Sequence, residues 1–292
     1  MIHLAAKNIL IIYNPAARGG KSHLVQKAFT TFLQKENINF DVYETTANED
    51  TKQIKKLISN NQYDLISIVG GDGTINLAIN ALPHFDLPVL IIPAGSGNDL
   101  VKMLHYNKNI EEIFSLAVAP NPEIRAMDLW RCNDRLFANG FGAGFDGAIA
   151  NKTANKKSFL PSKLKYWIEI IRHIFFYSSP NFKVNGISYP TFMISIANGR
   201  VYGGDFKVAP LANISDGILE VIRIKKVVVP LRFLYLPLVQ LGKHLNKKPI
   251  KYTQESRIII TSEENLDAHL DGEPISESSY HITFESKLDV LI

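Results

Sequence analysis

Gly70-Gly71-Asp72-Gly73-Thr74 is the segment of this chain whose residue types are best suited to hold a phosphate. It follows the apolar run Leu65–Val69, which predicts a buried strand, and it precedes the helix-like run Ile75–Leu82. Glycines let backbone N–H groups approach a phosphate closely, and the start of a helix favours negative charge. Asp72 adds a carboxylate where the metal of a metal–nucleotide would lie. We therefore predict a nucleotide-phosphate site here.

Two further loops follow predicted strands in the same part of the chain. Asn14–Gly20 follows the strand Asn8–Tyr13, and Ala94–Asp99 follows the strand Pro88–Ile92. Because ligands of parallel α/β sheets bind beyond the carboxyl ends of the strands, we expect the three loops to meet at one site. Asn98 and Asp99 would then reach the nucleotide or its magnesium, although an Asp at this position can also cap the following helix.

The first 128 residues alternate short apolar strands with amphipathic helices, a pattern typical of a mostly parallel sheet covered by helices. The predicted strands are Asn8–Tyr13, Asn39–Thr45, Leu65–Val69 and Pro88–Ile92, and the predicted helices are Lys21–Glu36, Asp50–Asn60 and Ile75–Leu82.

After about residue 128 short apolar runs are separated by Gly, Pro, Asn and Asp, which indicates a β-rich, sandwich-like domain. Its predicted strands are Arg135–Asn139, Thr191–Ala197, Gly217–Ile224, Arg257–Thr261 and Tyr280–Phe284, and its predicted helices are Lys163–Tyr177 and roughly Leu231–Leu245.

The segment Gly142–Gly147 also fits G-x-G-x-x-G. A dinucleotide site needs a βαβ unit around this motif, and a lysine-rich loop follows it here instead. We expect a glycine-lined wall that faces a cleft between the domains.

Two acidic turns lie in the β-rich part. Asn213–Val221 contains Asp216, which could complete a β-turn or, with backbone carbonyls, hold a hard cation such as Mg²⁺. Leu270–Pro274 contains Asp271 and Glu273, which could form a hairpin tip or supply a base that deprotonates an acceptor hydroxyl. The residues alone leave both alternatives open.

Composition excludes several classes of protein. The 292 residues carry a net charge of +4, which does not imply a nucleic-acid partner, and a single cysteine, Cys132, rules out an internal disulfide. The start Met1–Lys7 lacks the layout of a signal peptide, so we expect a cytoplasmic protein. Val227–Leu241 is too short for a transmembrane segment and contains Arg232.

Two basic stretches interleave cations with apolar residues. Lys225–Lys251 has seven Lys or Arg residues and no acid, and Asn151–Phe176 has six against Glu169. This pattern is typical either of a solvated face or of a surface that contacts anionic lipid, and both alternatives stay open.

In this order the motifs resemble the diacylglycerol kinase catalytic-domain family, in particular its bacterial soluble lipid kinases, over essentially the whole chain. The resemblance rests on Asn14-Pro15, Gly70–Thr74, Gly95–Leu100, Asn139-Gly140 with the glycines to Gly147, Lys207–Pro210 leading to Asp216-Gly217, and Asp271–Glu273.

This resemblance implies an α/β nucleotide-binding domain like that of NAD kinases over residues 1–128 and a β-sandwich over residues 129–280. Residues 281–292 would return as a strand to the first domain. The implied activity is phosphoryl transfer from ATP, with Mg²⁺, to the hydroxyl of a lipid at a membrane surface. The acceptor could be diacylglycerol, monoacylglycerol, a sphingoid base, phosphatidylglycerol or a polyprenol. A homodimer is compatible with the sequence.

Carried over by motif, Glu273 is the proton acceptor, Asp271 supports it, and Asp72 lies near the phosphates and Mg²⁺. A structural Mg²⁺ site is implied at Asn213, Asp216 and Ile218, partly through backbone carbonyls. The implied ATP contacts are Asn14, Thr45, Gly70, Gly71, Asp72, Gly73, Thr74, Asn76, Ser96, Asn98 and Asp99.

The chain departs from the family pattern at three positions. Leu77 stands where the family often has Glu, so one carboxylate near the metal is missing. Thr45 is followed by Thr46 rather than glycine, which leaves the choice between the two threonines open. Ser96 replaces a usual threonine and keeps the hydroxyl. The alternatives are an NAD kinase, which shares the glycine loop, and a weakly catalytic lipid-binding or regulatory protein.

Overall fold

The computed structural model describes residues 7–104, 107–154, 162–178, 180–204 and 206–292. The chain forms two compact units, one running to Leu129 and resuming at Ser286–Ile292, the other spanning Trp130–Glu285. The predictions for Met1–Ala6, and for the cations Lys156 and Lys157, lie outside the described residues.

The first unit is built on a parallel sheet covered by helices, as predicted. Its strands are β1 (Asn8–Tyr13), β2 (Asn39–Glu44), β3 (Leu65–Gly70) and β4 (Val89–Pro93). Its helices are α1 (Ser22–Lys35), α2 (Asp50–Asn60), α3 (Asp72–Ala81), α4 (Asp99–Leu104) and α5 (Ile110–Ser115).

The four strands lie in the order β4-β3-β1-β2, and every neighbouring pair is parallel. All of β3 and nearly all of β1 and β4 are buried, because helices cover both faces of the sheet. The edge strand β2 is mostly exposed. Helix α1 contributes Phe29 and Leu33, one turn apart, to the core of this unit.

Strand β5 (Ile124–Cys132) crosses the boundary between the units. The other strands of the second unit are β6 (Arg135–Phe137), β7 (Gly140–Gly144), β8 (Phe182–Val184), β9 (Ile187–Ser188), β10 (Thr191–Ala197), β11 (Leu219–Lys225), β12 (Ile250–Glu255), β13 (Arg257–Leu270) and β14 (Glu273–Leu291). Its helices are α6 (Phe145–Ala154), α7 (Ser162–Phe176) and α8 (Val229–Gln240).

The second unit contains an antiparallel run in the order β12-β11-β10-β7-β13-β14. Strand β11 sends Leu219 and Val221 to one hydrophobic core, and Ile222 and Ile224 to a second core beneath the helices. The sheet is therefore buried on both faces along this strand. From Ser286 onward β14 belongs to the first unit, where Val290 pairs in parallel with Val89 of β4.

Several element boundaries differ from the predictions. Helix α3 begins at Asp72 rather than Ile75, so Asp72, Gly73 and Thr74 form its first turn. Strand β13 continues to Leu270 rather than ending at Thr261. The polar residues after Thr261 interrupt the apolar pattern, and they lie where the pairing with β14 shifts register, between Thr261 and Leu266. Helix α8 ends at Gln240 instead of Leu245. No helix in the described parts of the chain is long and apolar enough to span a bilayer.

Candidate active site

The strands of the first unit end at one edge of the sheet. Tyr13 pairs with Glu44 and with Val69, and Gly70 pairs with Pro93, so the last residues of β1 to β4 are in register. Ligands of such sheets bind at this edge. The segments that begin here carry the predicted contacts Asn14, Thr45, Gly71, Asp72, Ser96, Asn98 and Asp99.

Gly71 and Gly95 bring the backbones of two of these segments into direct contact. A Cβ atom on Gly71 would lie 3.0 Å from the Cα atom of Gly95, and a Cβ atom on Gly95 would overlap Gly71. The Ala94 N–H also donates to the Gly70 carbonyl at 2.9 Å. Only glycine fits at this approach, which explains both glycines by packing.

Asp72 ties the start of α3 to the start of α4. Its Oδ2 atom accepts the Asp99 N–H at 3.2 Å and its Oδ1 atom accepts the Leu100 N–H at 3.2 Å. A carboxylate at the N-terminus of a helix is favoured by the helix dipole. Asp72 therefore holds the two loops together, and a carboxylate is a type of ligand that hard cations prefer.

Asn98 stabilises the second loop from within. Its backbone is left-handed, with φ +57°, and its side chain accepts the Gly95 N–H at 2.9 Å and donates to the Gly95 carbonyl at 3.1 Å. Asp99 is buried in the first turn of α4 and accepts from Lys102 at 3.4 Å. The exposed side chain of this loop is Ser96.

The N-terminus of α3 is suited to an anion. Gly71 precedes the helix and has no side chain that could cap its N–H groups, and Gly73 in the first turn is exposed. Thr74 is buried and packs where a side chain on Gly70 would stand. Positive partial charge and accessible N–H groups thus coincide at this point.

The remaining predicted nucleotide contacts differ in their setting. Asn14 is half-buried and accepts the Ala16 N–H at 2.9 Å. Asn76 is buried inside α3, where Asn80 donates to its backbone carbonyl at 2.9 Å and to its side-chain oxygen at 3.3 Å. Leu77, on the next position of the helix, is half-buried.

The two threonines after β2 have different surroundings. The Thr46 hydroxyl donates to the Asp50 carboxylate at 3.1 Å, and the Tyr43 hydroxyl donates to the same oxygen at 2.9 Å. Burial alone would raise the pKa of Asp50, but these two donors and the Thr46 and Ala47 N–H groups lower it. The pKa of Tyr43 is raised to about 12, because its hydroxyl is buried and bonded to Asp50. Thr46 is therefore engaged at the start of α2, whereas Thr45 is buried, and Thr45 as the ligand contact stays a prediction.

In the second unit, Asp271 and Gly272 form a two-residue turn between β13 and β14. Both have positive φ, +51° and +90°, and Leu270 pairs with Glu273 across the turn, as in a type I′ hairpin. The Asp271 carboxylate accepts the N–H groups of Asn139 and Gly140 at 2.8 Å and of Ala138 at 2.9 Å. Asp271 therefore anchors the turn, and exposed Glu273 follows directly after it.

A buried polar network that the sequence analysis missed lies next to this turn. Asp146 accepts from the Tyr202 hydroxyl at 3.0 Å and contacts Nε2 of His269 at 3.1 Å, and Tyr202 also bonds to Ser195. A side chain on Gly142 would collide with Asp146 and His269. The available signal was Asp146, an acidic residue inside the G-x-G-x-x-G segment.

The glycine segment itself does not form the wall that we expected. Gly140–Gly144 is the buried strand β7, and Gly147 lies in α6. A side chain on Gly147 would collide with the backbone of Asp267 and Ala268 in β13. The prediction of a glycine-lined face on a cleft is wrong, because these glycines are required for close packing inside the second unit.

An apolar cavity lies beneath α7 and α8 in the second unit. Its volume is about 70 Å³, and it is partly open to solvent. Arg232 in its wall donates to the carbonyls of Ile174 at 2.8 Å and Val227 at 3.1 Å, and burial lowers the pKa of this guanidinium. Other lining residues include Phe145, Asp146, Ile170, Phe192, Tyr202 and Leu236.

The outer side of the same helix pair exposes aromatic side chains. Phe176 at the end of α7 is 83% exposed, and Phe175 contacts Phe233 of α8 with ring centroids 5.1 Å apart. Lys225 and Lys226, just before α8, are exposed cations. Exposed apolar groups beside cations are typical of interfacial membrane contact.

The predicted metal loop is exposed at Asn213, Asp216 and Ile218. The Asn213 side chain accepts the Ser215 N–H at 3.2 Å and Asp216 accepts the Ile218 N–H at 3.1 Å. Among the described residues no three His, Cys, Asp or Glu side chains gather as a metal cluster. A cation in either predicted site would therefore depend on fewer than three carboxylates together with amide and carbonyl oxygens, a donor set that fits Mg²⁺ or Ca²⁺.

The two units, a parallel α/β sheet followed by an antiparallel β unit, form a two-domain α/β-plus-β architecture, and comparison with known proteins identifies its family. Residues 8–132 match the diacylglycerol kinase catalytic domain, and residues 140–290 match the YegS C-terminal NAD kinase beta sandwich-like domain. The chain belongs to the diacylglycerol kinase catalytic-domain family, which is a family of lipid kinases. The predicted family and the predicted fold class, an α/β nucleotide-binding domain with a β-sandwich, are thereby confirmed.

Individual relatives are distant but match along most of their length. The chain is 27% identical to the diacylglycerol kinase of Bacillus subtilis (strain 168) over 286 residues, covering 91% of this chain and 90% of the relative. It is 23% identical to the diacylglycerol kinase of Staphylococcus carnosus (strain TM300) over 277 residues, covering 91% and 89%. The crystal structure of a diacylglycerol kinase from Bacillus anthracis str. Sterne superposes with a TM-score of 0.70 at 22% identity, covering 98% and 97%.

Proposed function

We propose that this chain transfers the γ-phosphate of ATP to the hydroxyl of a membrane lipid such as diacylglycerol. The observation that carries the proposal is the bridge made by Asp72, which joins two strand-end loops whose backbones already touch at Gly71 and Gly95. Such a carboxylate beside an uncapped helix start is suited to a metal–nucleotide. The names of the relatives support a lipid as the acceptor.

In this proposal the first unit binds ATP at the edge where β1 to β4 end. The α3 N-terminus and the N–H groups near Gly73 receive the phosphates, and Thr45 and Ser96 supply hydroxyl contacts. Mg²⁺, when bound, would neutralise charge on the phosphates, with Asp72 as a ligand. The Asn213–Ile218 loop would hold a second, structural Mg²⁺. The proposed nucleotide domain comprises residues 1–128, the proposed acceptor domain comprises residues 129–280, and residues 281–292 are the proposed returning strand.

Glu273 is the proposed general base. It takes the proton from the lipid hydroxyl while that oxygen bonds to the γ-phosphorus and the bond to the departing ADP oxygen breaks. Glu273 is exposed, so its carboxylate is accessible to a substrate. Asp271 supports it through the three N–H groups that fix the turn.

The second unit offers a place for the apolar part of the acceptor. The cavity beneath α7 and α8 is lined mainly by apolar side chains, which favour contact with the hydrocarbon part of a lipid. The exposed aromatic side chains on the outer side of these helices, together with Lys225 and Lys226, are suited to an anionic membrane surface. The acceptor would then be taken up from the bilayer in which it resides.

ADP release measured with ATP alone, with ATP and lipid–detergent micelles, and with ATP and NAD tests this proposal. We expect release that depends on the lipid. Release that depends on NAD would establish an NAD kinase. ATP and lipid binding without turnover would establish a regulatory protein, for which the missing carboxylate at Leu77 would be the first explanation to examine.

A further inference from the structure

His269 connects the cavity of the second unit to the turn that precedes Glu273. It is a buried residue of β13, and its Nδ1 atom accepts the Gly272 N–H at 3.2 Å. Its Nε2 atom lies 3.1 Å from Oδ2 of Asp146, which lines the cavity. Both ring nitrogens are therefore engaged, one toward the turn and one toward the cavity wall.

These contacts determine the tautomer of the ring. Nδ1 must be unprotonated to accept from Gly272, so the proton lies on Nε2 and is donated to Asp146. Tyr202 donates to the same Asp146 oxygen, which keeps the carboxylate in place. A neutral imidazole fixed at both nitrogens has one permitted orientation.

The two residues of the turn are held by different partners. The carboxylate of Asp271 accepts three N–H groups, and its own N–H donates to the Gly140 carbonyl at 2.8 Å. Gly272 is the residue bonded directly to Glu273, and the side chain that accepts its N–H is His269. Asp271 thus fixes the first half of the turn, and His269 fixes the half from which Glu273 departs.

We propose that His269 is a positioning residue for Glu273. It links the Asp146 carboxylate in the cavity wall to the Asp271-Gly272 turn, from which Glu273 follows. The proposal rests on the proposed function, because it takes Glu273 as the base. Small displacements of a reacting group lower the rate of transfer more than the affinity for substrate. Loss of His269 should therefore act on kcat and leave KM nearly unchanged.

Three variants test the contact. His269→Leu removes both hydrogen bonds, whereas His269→Asn keeps an oxygen that can accept the Gly272 N–H. His281→Leu is the matched control, since His281 is exposed on β14. Each variant is assayed for kcat and for KM of ATP and lipid, and for amide hydrogen exchange of the peptide covering 270–274.

We expect His269→Leu to lower kcat by about tenfold to a hundredfold, with KM values within about twofold and faster exchange at the turn. His269→Asn should recover most of the rate and the slow exchange, and His281→Leu should match the wild type. If His269→Leu does not fold, His269→Asn is compared directly with the wild type. A complete loss of kcat in folded His269→Asn would then contradict the role of the Gly272 hydrogen bond.

Unchanged kcat and exchange in folded His269→Leu would overturn the proposal, as would a raised KM for lipid at unchanged kcat. A wild-type protein that transfers phosphate to no lipid would instead remove the proposed function. The exchange measurement separates the two failures, because it reports the turn without requiring turnover.

Discussion

The carboxylate of Asp72 accepts the backbone N–H of Leu100 at 3.2 Å, across 28 positions of sequence. One side chain at the start of α3 thus fixes where α4 begins. The same group is the proposed magnesium ligand, so its structural and catalytic roles must be separated by choice of variant.

Asp72→Asn should abolish phosphoryl transfer while the protein stays folded. The amide oxygen can still accept one N–H of α4, but the negative charge for the cation is lost, and we expect kcat to fall by about a hundredfold or more. Asp64→Asn is the control, because Asp64 accepts two backbone N–H groups at the start of β1, at the opposite end of that strand. Full activity in Asp72→Asn would contradict its assignment.

Gly95→Ala should destabilise the first unit and weaken ATP binding, because the new methyl group would overlap Gly71. We expect a cost of about 1 to 3 kcal/mol. Gly19→Ala meets no neighbouring atom but has φ +65°, so it reports backbone strain alone. Thermal unfolding and ATP titration of both variants make the comparison, and equal ATP affinity in Gly95→Ala and wild type would rule out the close approach as part of the site.

Glu273→Gln should bind ATP and lipid normally yet transfer phosphate poorly. The amide is isosteric but cannot take a proton, and general-base contributions are typically about a hundredfold to ten-thousandfold. Glu263→Gln, an exposed glutamate on β13, should retain full activity. Equal loss in the two variants would show that surface charge, rather than the base, was being measured.

The outer face of α7 and α8 should control membrane binding. Replacing Phe176 and Phe233 together by Ser should reduce sedimentation with vesicles that contain phosphatidylglycerol, since both side chains are exposed. Leu24→Ser, on exposed Leu24 of α1, is the control. Added salt should weaken the wild-type interaction, because cations such as Lys225 contribute to it. Unaltered sedimentation of the double variant would place the membrane contact elsewhere.

The Arg131–Glu285 pair should make stability depend on pH. Two hydrogen bonds of 2.6 Å from Arg131 hold the pKa of Glu285 below its usual value, against the raising effect of burial. A lowered carboxyl pKa contributes stability above about pH 4.5 that is lost as the pH falls through the folded-state value. Glu285→Gln should therefore cost less than about 1 kcal/mol at pH 7, and the difference should shrink as the pH falls below about 4.5. A difference in unfolding that stays constant from pH 7 to well below pH 4.5 would contradict this assignment.

The sequence predicted the first unit well because its signals are local. Each apolar run of β1, β3 and β4 ends in a loop with glycine or asparagine, and the helices have clear periodicity. The Gly71–Gly95 approach and the Asp72 bridge were not predictable in detail, because they join positions that are far apart in the sequence.

The second unit shows the limits of pattern analysis more strongly. The Asp271-Gly272 turn was recognisable from composition, since both positions need a left-handed backbone. Asp146 and His269 were not recognised, because their hydrogen bond spans 123 positions and neither lies in a distinctive polar cluster. The glycines from Gly142 to Gly147 suggested a ligand wall, whereas packing against β13 is what requires glycine there.

The most direct test of the central claim is transfer of γ-³²P from ATP to a panel of lipids presented in anionic vesicles, with each product identified by mass. The wild type should label at least one hydroxyl lipid with stoichiometric ADP release, while Asp72→Asn and Glu273→Gln should label none above background. Absence of label on every lipid, or label that persists unchanged in both variants, would contradict the account.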